Sequence, residues 1–178
     1  LLSSAGVSCG LIGTIANRQL TVSVKPRGAE LCSIKGGGGV EYLWQADPAV
    51  WPRHAPILFP IVGKLESDRY SHDGKTFELT QHGFARDLDF ELVKTTRESL
   101  SYRLLPSSAT RPKYPFEFEL WVNYGLDANR LKIQYVVKNS GQGILPFSIG
   151  AQPGFAQNSG QADREEDYFL EFQKDEPA

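Results

Sequence analysis

The chain has 178 residues, 40% of them hydrophobic and 22% charged, with a formal net charge of −2 and a pI near 6.0. These values fit one soluble globular unit and give no electrostatic basis for binding nucleic acid or an anionic membrane. No apolar run reaches the roughly 18 residues that a spanning helix needs, and Cys9 and Cys32 are too few for a disulfide framework and lack zinc spacing, so a cytoplasmic setting is the expectation.

Residues 1–16 read as an N-terminal extension, either disordered or, in Leu1 to Cys9, the remnant of a secretory leader, and one β domain is expected over 17–178. Period-two alternation recurs along that domain, whereas helical periodicity is nearly absent. Strands are predicted at Leu20 to Val24 and Glu30 to Ile34, followed by a turn at Gly36-Gly37-Gly38-Gly39, which lacks the pattern of a phosphate-binding loop. Pro52, Pro56 and Pro60 exclude helix from Trp51 to Val62 and leave an extended, buried wall of a cleft. Arg69 to His72 and Thr76 to Leu79 read as strands joined by Asp73-Gly74, a two-residue turn whose glycine accepts positive φ. Leu88, Phe90 and Leu92 alternate with acidic residues, and Leu100 to Leu105 forms another short candidate. Phe116 to Tyr124 and Leu131 to Val137 alternate most clearly and form a hairpin across Asp127-Ala128-Asn129, with Ile144 to Ile149 and Tyr168 to Phe172 as the last candidates. Strands this short and frequent indicate an all-β antiparallel sandwich.

Three histidines are candidates for chemistry. His72 adjoins a turn and reads as exposed, while His54 falls in the cleft-like stretch. His82 differs, because Gly83 lets the backbone approach a ligand and Arg86 places a fixed charge in the same turn. Arg86 and Lys64 read either as surface charges or as donors to hydroxyls or a phosphate. Trp44, Trp51 and Phe155 offer flat apolar faces suited to the C–H side of a pyranose or to core packing. No G-x-S-x-G or H-E-x-x-H pattern supports a hydrolase or a metalloenzyme.

The segments Ala55-Pro56-Ile57-Leu58-Phe59-Pro60-Ile61-Val62-Gly63, Gln81-His82-Gly83-Phe84-Ala85-Arg86 and Phe147-Ser148-Ile149-Gly150-Ala151-Gln152-Pro153-Gly154-Phe155 together resemble the aldose 1-epimerase (galactose mutarotase-like) family, in its H-G-F-A-R branch. The similarity begins with Asn17-Arg18-Gln19-Leu20-Thr21-Val22 and Gly28-Ala29-Glu30-Leu31 and runs to Phe172. The resemblance implies a supersandwich of antiparallel strands with a sugar in an open cleft. It implies a cofactor-free, metal-free isomerase that interconverts the α and β anomers of a hexose or hexose 6-phosphate by acid–base ring opening. His82 matches the histidine that binds the sugar and polarises its ring oxygen, and Arg86, Lys64 and Phe155 are candidate substrate-binding residues beside it. Gln152 stands where the family's general acid is a histidine, and an amide donates a hydrogen bond but delivers no proton. The family's general base, a glutamate, lies beyond Ala178, and Glu165, Glu166 and Glu171 are not assigned that role. The chain therefore reads as the first three fifths, roughly, of the family's domain, with strand edges open to self-association. A non-catalytic carbohydrate-binding module is the alternative.

Overall fold

The computed structural model describes residues 11–156. Cys9, the Tyr168 to Phe172 segment and the three glutamates beside it lie outside the described residues.

Two antiparallel sheets face each other. The first is a meander of β1 (Gly13–Ala16), β2 (Leu20–Lys25) and β3 (Glu30–Gly36). The boundary placed at residue 17 is thus too late: β1 lies within the supposed extension and pairs with β2 from Gly13↔Val24 to Ala16↔Thr21. Four residues of which only two are strongly apolar give little alternation to read, and burial of Ile15 becomes visible only in three dimensions. After β3 the glycine run turns back through Gly39 N–H to Gly36 O (2.9 Å) and Gly36 N–H to Val40 O (3.0 Å).

The second sheet has the order β10-β9-β8-β7, built from β7 (Glu91–Thr95), β8 (Ser99–Leu104), β9 (Phe118–Asp127) and β10 (Arg130–Asn139). Strands β8 and β9 bury every second residue, as the sequence pattern predicts. Asp127 pairs with Arg130 across Ala128-Asn129, so the expected hairpin forms. Leu100, Tyr102 and Leu104 from β8 and Leu120, Val122 and Tyr124 from β9 share one core with Ile15, Val22, Val24 and Leu31 of the first sheet. Two tyrosine hydroxyls fasten the layers, Tyr124 to the Ala29 carbonyl (2.6 Å) and Tyr102 to the Val24 carbonyl (3.3 Å).

Two small pairs complete the described chain. β5 (Arg69–His72) and β6 (Lys75–Glu78) form a hairpin over Asp73-Gly74, both at positive φ (47° and 72°). β4 (Ile57–Leu58) pairs with β11 (Gly150–Ala151). Two expected strands differ in extent. Leu88 and Phe90 precede β7: Phe90 N–H bonds to Pro26 O (2.9 Å) and Gly28 N–H to Leu88 O (2.7 Å), so this alternation serves docking beside the β2–β3 turn. Residues 144–149 carry Pro146, which has no N–H to donate, and only Gly150–Ala151 joins a ladder. Among the described residues no helix is long and apolar enough to cross a membrane.

Candidate functional site

The short strand β4 brings the distant motifs together. On one edge, the Phe59 carbonyl accepts from the N–H groups of Phe84 (3.0 Å) and Ala85 (3.2 Å), and Phe59 and Gly83 form a parallel bridge. On the other edge β11 pairs Gly150 with Leu58 and Ala151 with Ile57, and Gln152 N–H continues the pairing to Pro56 O (3.1 Å). His82 therefore lies level with Leu58 and Gln152 level with Pro56, on opposite flanks of one strand. Ile57 and Phe59 belong to the central core, and His82, in the turn before the Gly83 bridge, and Gln152, beyond β11, flank β4 on its two edges.

Phe59 also anchors this arrangement to the interior. Its ring meets Phe84 (6.2 Å), Tyr114 (6.1 Å), Phe118 (5.2 Å) and Phe147 (5.9 Å) between centroids. Gly83 at φ 70° is required where it stands, because a Cβ there would collide with the Phe59 carbonyl oxygen and come within 2.7 Å of Pro60 Cδ.

His82 itself adopts positive φ (66°) and is held by a reciprocal pair with Gly63: His82 N–H donates to Gly63 O (2.8 Å), and Gly63 N–H donates to His82 Nδ1 (3.0 Å). The Gln81 side-chain amide lies 3.3 Å from His82 Nε2. A neutral imidazole carries one N–H, so both ring nitrogens cannot accept. A backbone N–H cannot be reversed but a primary amide can rotate, which makes Nδ1 the acceptor, Nε2–H the donor and the amide oxygen of Gln81 its partner. Burial, and then the Arg86 guanidinium, hold the imidazole below its ordinary pKa of 6.5.

Arg86 braces the same turn. Its Nη2 donates to the Gln81 carbonyl (2.8 Å), and its Nε, buried and without a hydrogen-bond partner, lies 3.6 Å from Asp87 Oδ2. Asp87 also pairs with Arg53 through Oδ1 (2.9 Å). Burial and the neighbouring Arg53 lower the pKa of Arg86, while Asp87 opposes them. Lys64 follows Gly63 but is 61% exposed and faces Asp68 at 3.8 Å. Phe155, 64% exposed, is bridged to Leu43 and lines an open groove of about 670 Å³ with Arg18, Tyr42 and Leu131. The structure thus gathers His82, Arg86 and Gln152 around β4, sets Lys64 at its margin and puts Phe155 against a separate groove.

The other two histidines serve packing. His54 is buried; its N–H and that of Ala55 donate to Glu30 Oε1 (2.8 and 3.1 Å), and its carbonyl accepts from Gly154 N–H (2.8 Å). Its Nδ1 lies 3.3 Å from Lys25 Nζ, and burial followed by that ammonium lowers its pKa. His72 packs on Phe116 at 4.7 Å between ring centroids. The supports that sequence reasoning missed are Gly63 and Glu30. Gly63 stood within a quoted motif, but nothing in one sequence says that its N–H meets an imidazole nineteen residues away. Among the described residues no three His, Cys, Asp or Glu side chains converge as metal ligands.

The aldose 1-epimerase family profile matches residues 12–176. The chain is 37% identical over 164 residues to the chromosomal Protein LacX of Lactococcus lactis subsp. lactis, covering 89% of this chain and 55% of that protein. It is similar to the crystal structure of a galactose mutarotase related enzyme from Lactobacillus acidophilus (TM-score 0.86, 42% identity, 88% of this chain and 53% of the other). A galactose mutarotase-like protein from Lactobacillus casei superposes with TM-score 0.79 at 38% identity, over 81% of this chain and 49% of the other. The chain spans about half the length of the relatives it matches.

Proposed function

Because the chain belongs to the aldose 1-epimerase family, we propose that the face of β4 flanked by His82 and Gln152 is the sugar site of a mutarotase that interconverts the anomers of a hexose or hexose 6-phosphate. The observation that carries this reading is the fixed imidazole: Nδ1 is occupied by Gly63 N–H, so Nε2–H is the donor, which a sugar oxygen takes over from the movable Gln81 amide. Such a donor suits a ring oxygen, which accepts hydrogen bonds and gains negative charge as the C1–O5 bond breaks. Gln152, exposed on the other edge of β4, can donate to or accept from a sugar hydroxyl. Ring opening also needs a base to take the anomeric proton, and the relatives this chain matches are about twice its length.

Polarimetry on freshly dissolved α-D-glucose, galactose and glucose 6-phosphate tests the proposal. Accelerated rotation that His82→Ala abolishes is the expected result; a rate equal to buffer, with no sugar binding by calorimetry, would refute it. Gln152 favours a second reading, a carbohydrate-binding module, since an amide holds an oxygen without passing a proton. Binding without acceleration selects that reading.

A further inference from the structure

We infer that Gly63 is a positioning residue for His82, committing the imidazole to the role of a neutral Nε2–H donor that grips an oxygen but does not relay a proton. The inference rests on the sugar-site reading for its purpose and on geometry alone for its content.

The geometry is a two-point lock. Gly63 has φ 86°, a left-handed conformation that favours glycine, and within it both its N–H and its C=O face His82. Protonating the ring would place an Nδ1–H against the Gly63 N–H, two donors head to head, and would forfeit the 3.0 Å hydrogen bond. The charged groups around the ring point the same way. Arg86 lies in the same turn, and its neighbouring carboxylate, Asp87, is taken up by Arg53 and Arg86. An imidazolium at this place would face the Arg86 guanidinium, the charged neighbour that acts on the ring among the described residues.

The consequence concerns the missing acid. With Gln152 at the acid position, His82 is the remaining imidazole on the face, and one could expect it to take over proton delivery. A neutral imidazole whose single proton sits on Nε2 would have to become an imidazolate to surrender it, which is not accessible near neutral pH. His82 therefore lowers the barrier by hydrogen bonding only.

Gly63 also offers a clean probe, because a Cβ built on it meets nothing within 4 Å. Gly63→Ala changes the backbone preference without a clash, so the lock can be loosened while the core is left alone. The experiment is a pH titration of the wild-type chain with ¹⁵N-labelled imidazoles, His82 being assigned by comparison with His82→Ala. The expected result is a single Nε2–H tautomer at pH 7 that titrates below 6.5, and a mixture of tautomers with a higher midpoint in Gly63→Ala. A wild-type ring protonated on Nδ1, or one that is an imidazolium at pH 7, would overturn the inference. Should Gly63→Ala fail to fold, the wild-type spectrum still decides. Glucose titrated into the same sample is read separately: a locked tautomer with no response of His82 to sugar refutes the sugar-site reading and leaves the lock standing.

Discussion

Replacing Gly83 by alanine tests whether the turn that carries His82 is set by backbone contact with β4. Two costs are expected. Gly83 lies at φ 70°, where an L residue pays about 1–2 kcal/mol. The new methyl would also sit 2.6 Å from Phe59 C and 2.7 Å from Pro60 Cδ, and these atoms have little freedom to retreat, because the Phe59 carbonyl already accepts from Phe84 and Ala85. Overpacking of this kind costs about 1–3 kcal/mol, so the sum is about 2–5 kcal/mol. Gly74 provides the control. It has φ 72° but open space around the position a Cβ would occupy, so Gly74→Ala carries the conformational term alone, about 1–2 kcal/mol. Urea unfolding of the two variants and the parent, with the slope checked for constancy, separates the steric share. If Gly83→Ala unfolds no earlier than Gly74→Ala, the tight approach of the turn to β4 is not what fixes His82.

Three other outcomes follow from the same contacts. Gln152→His supplies a titratable group across the face from His82 and should raise mutarotation by ~10²–10⁴-fold in polarimetry if a base is present; an unchanged rate would mean that the acid is not what limits this chain. Tyr124→Phe removes the hydroxyl that donates to the Ala29 carbonyl at 2.6 Å in the core and should cost about 1–3 kcal/mol by urea midpoint, with no effect on sugar binding. Stability should fall on mild acidification. His54 and His82 both have folded pKa values below the ordinary 6.5, so above pH 6.5 the folded chain keeps its full stability, and as pH drops from 6.5 towards the folded values the unfolded state binds the extra protons. A lower urea midpoint at pH 5.5 than at pH 7.5, with a smaller drop in His54→Gln, is the expected pattern; a drop of equal size in the variant would exclude His54 as a source.

The strands that pair through local turns were the legible part of this fold. Phe118 to Tyr124 and Leu131 to Val137 alternate because one face meets a core and the other meets water, and the period survives in the sequence. Asp73-Gly74 announces its hairpin because few residue pairs accept two positive φ values. The strand β1 was missed because four residues carry too little pattern, and residues 144–149 were over-read because apolar letters around Pro146 mimic a strand that the missing N–H prevents. The site was legible as motifs and opaque as geometry. His82 and Arg86 share a turn, but Arg86 spends a donor on the Gln81 carbonyl, and Lys64 reaches toward Asp68, neither of which spacing reveals. His54 looked like a cleft residue; its burial against Glu30 and Lys25 depends on two strands joining it from afar.

Phe59 has a double allegiance, its ring to four aromatic neighbours and its oxygen to the His82 turn. A directed-evolution campaign on this scaffold should therefore meet two regimes. Randomising Gln152, Lys64 or Phe155 alters side chains that project into water, so libraries there can be large and remain folded. Enlarging or shrinking Phe84, Tyr114 or Phe118 instead disturbs the packing around the Phe59 ring, and with it the interior on which the histidine turn rests. Screens for thermostability run through those positions should therefore be read out for the integrity of the His82 turn as well.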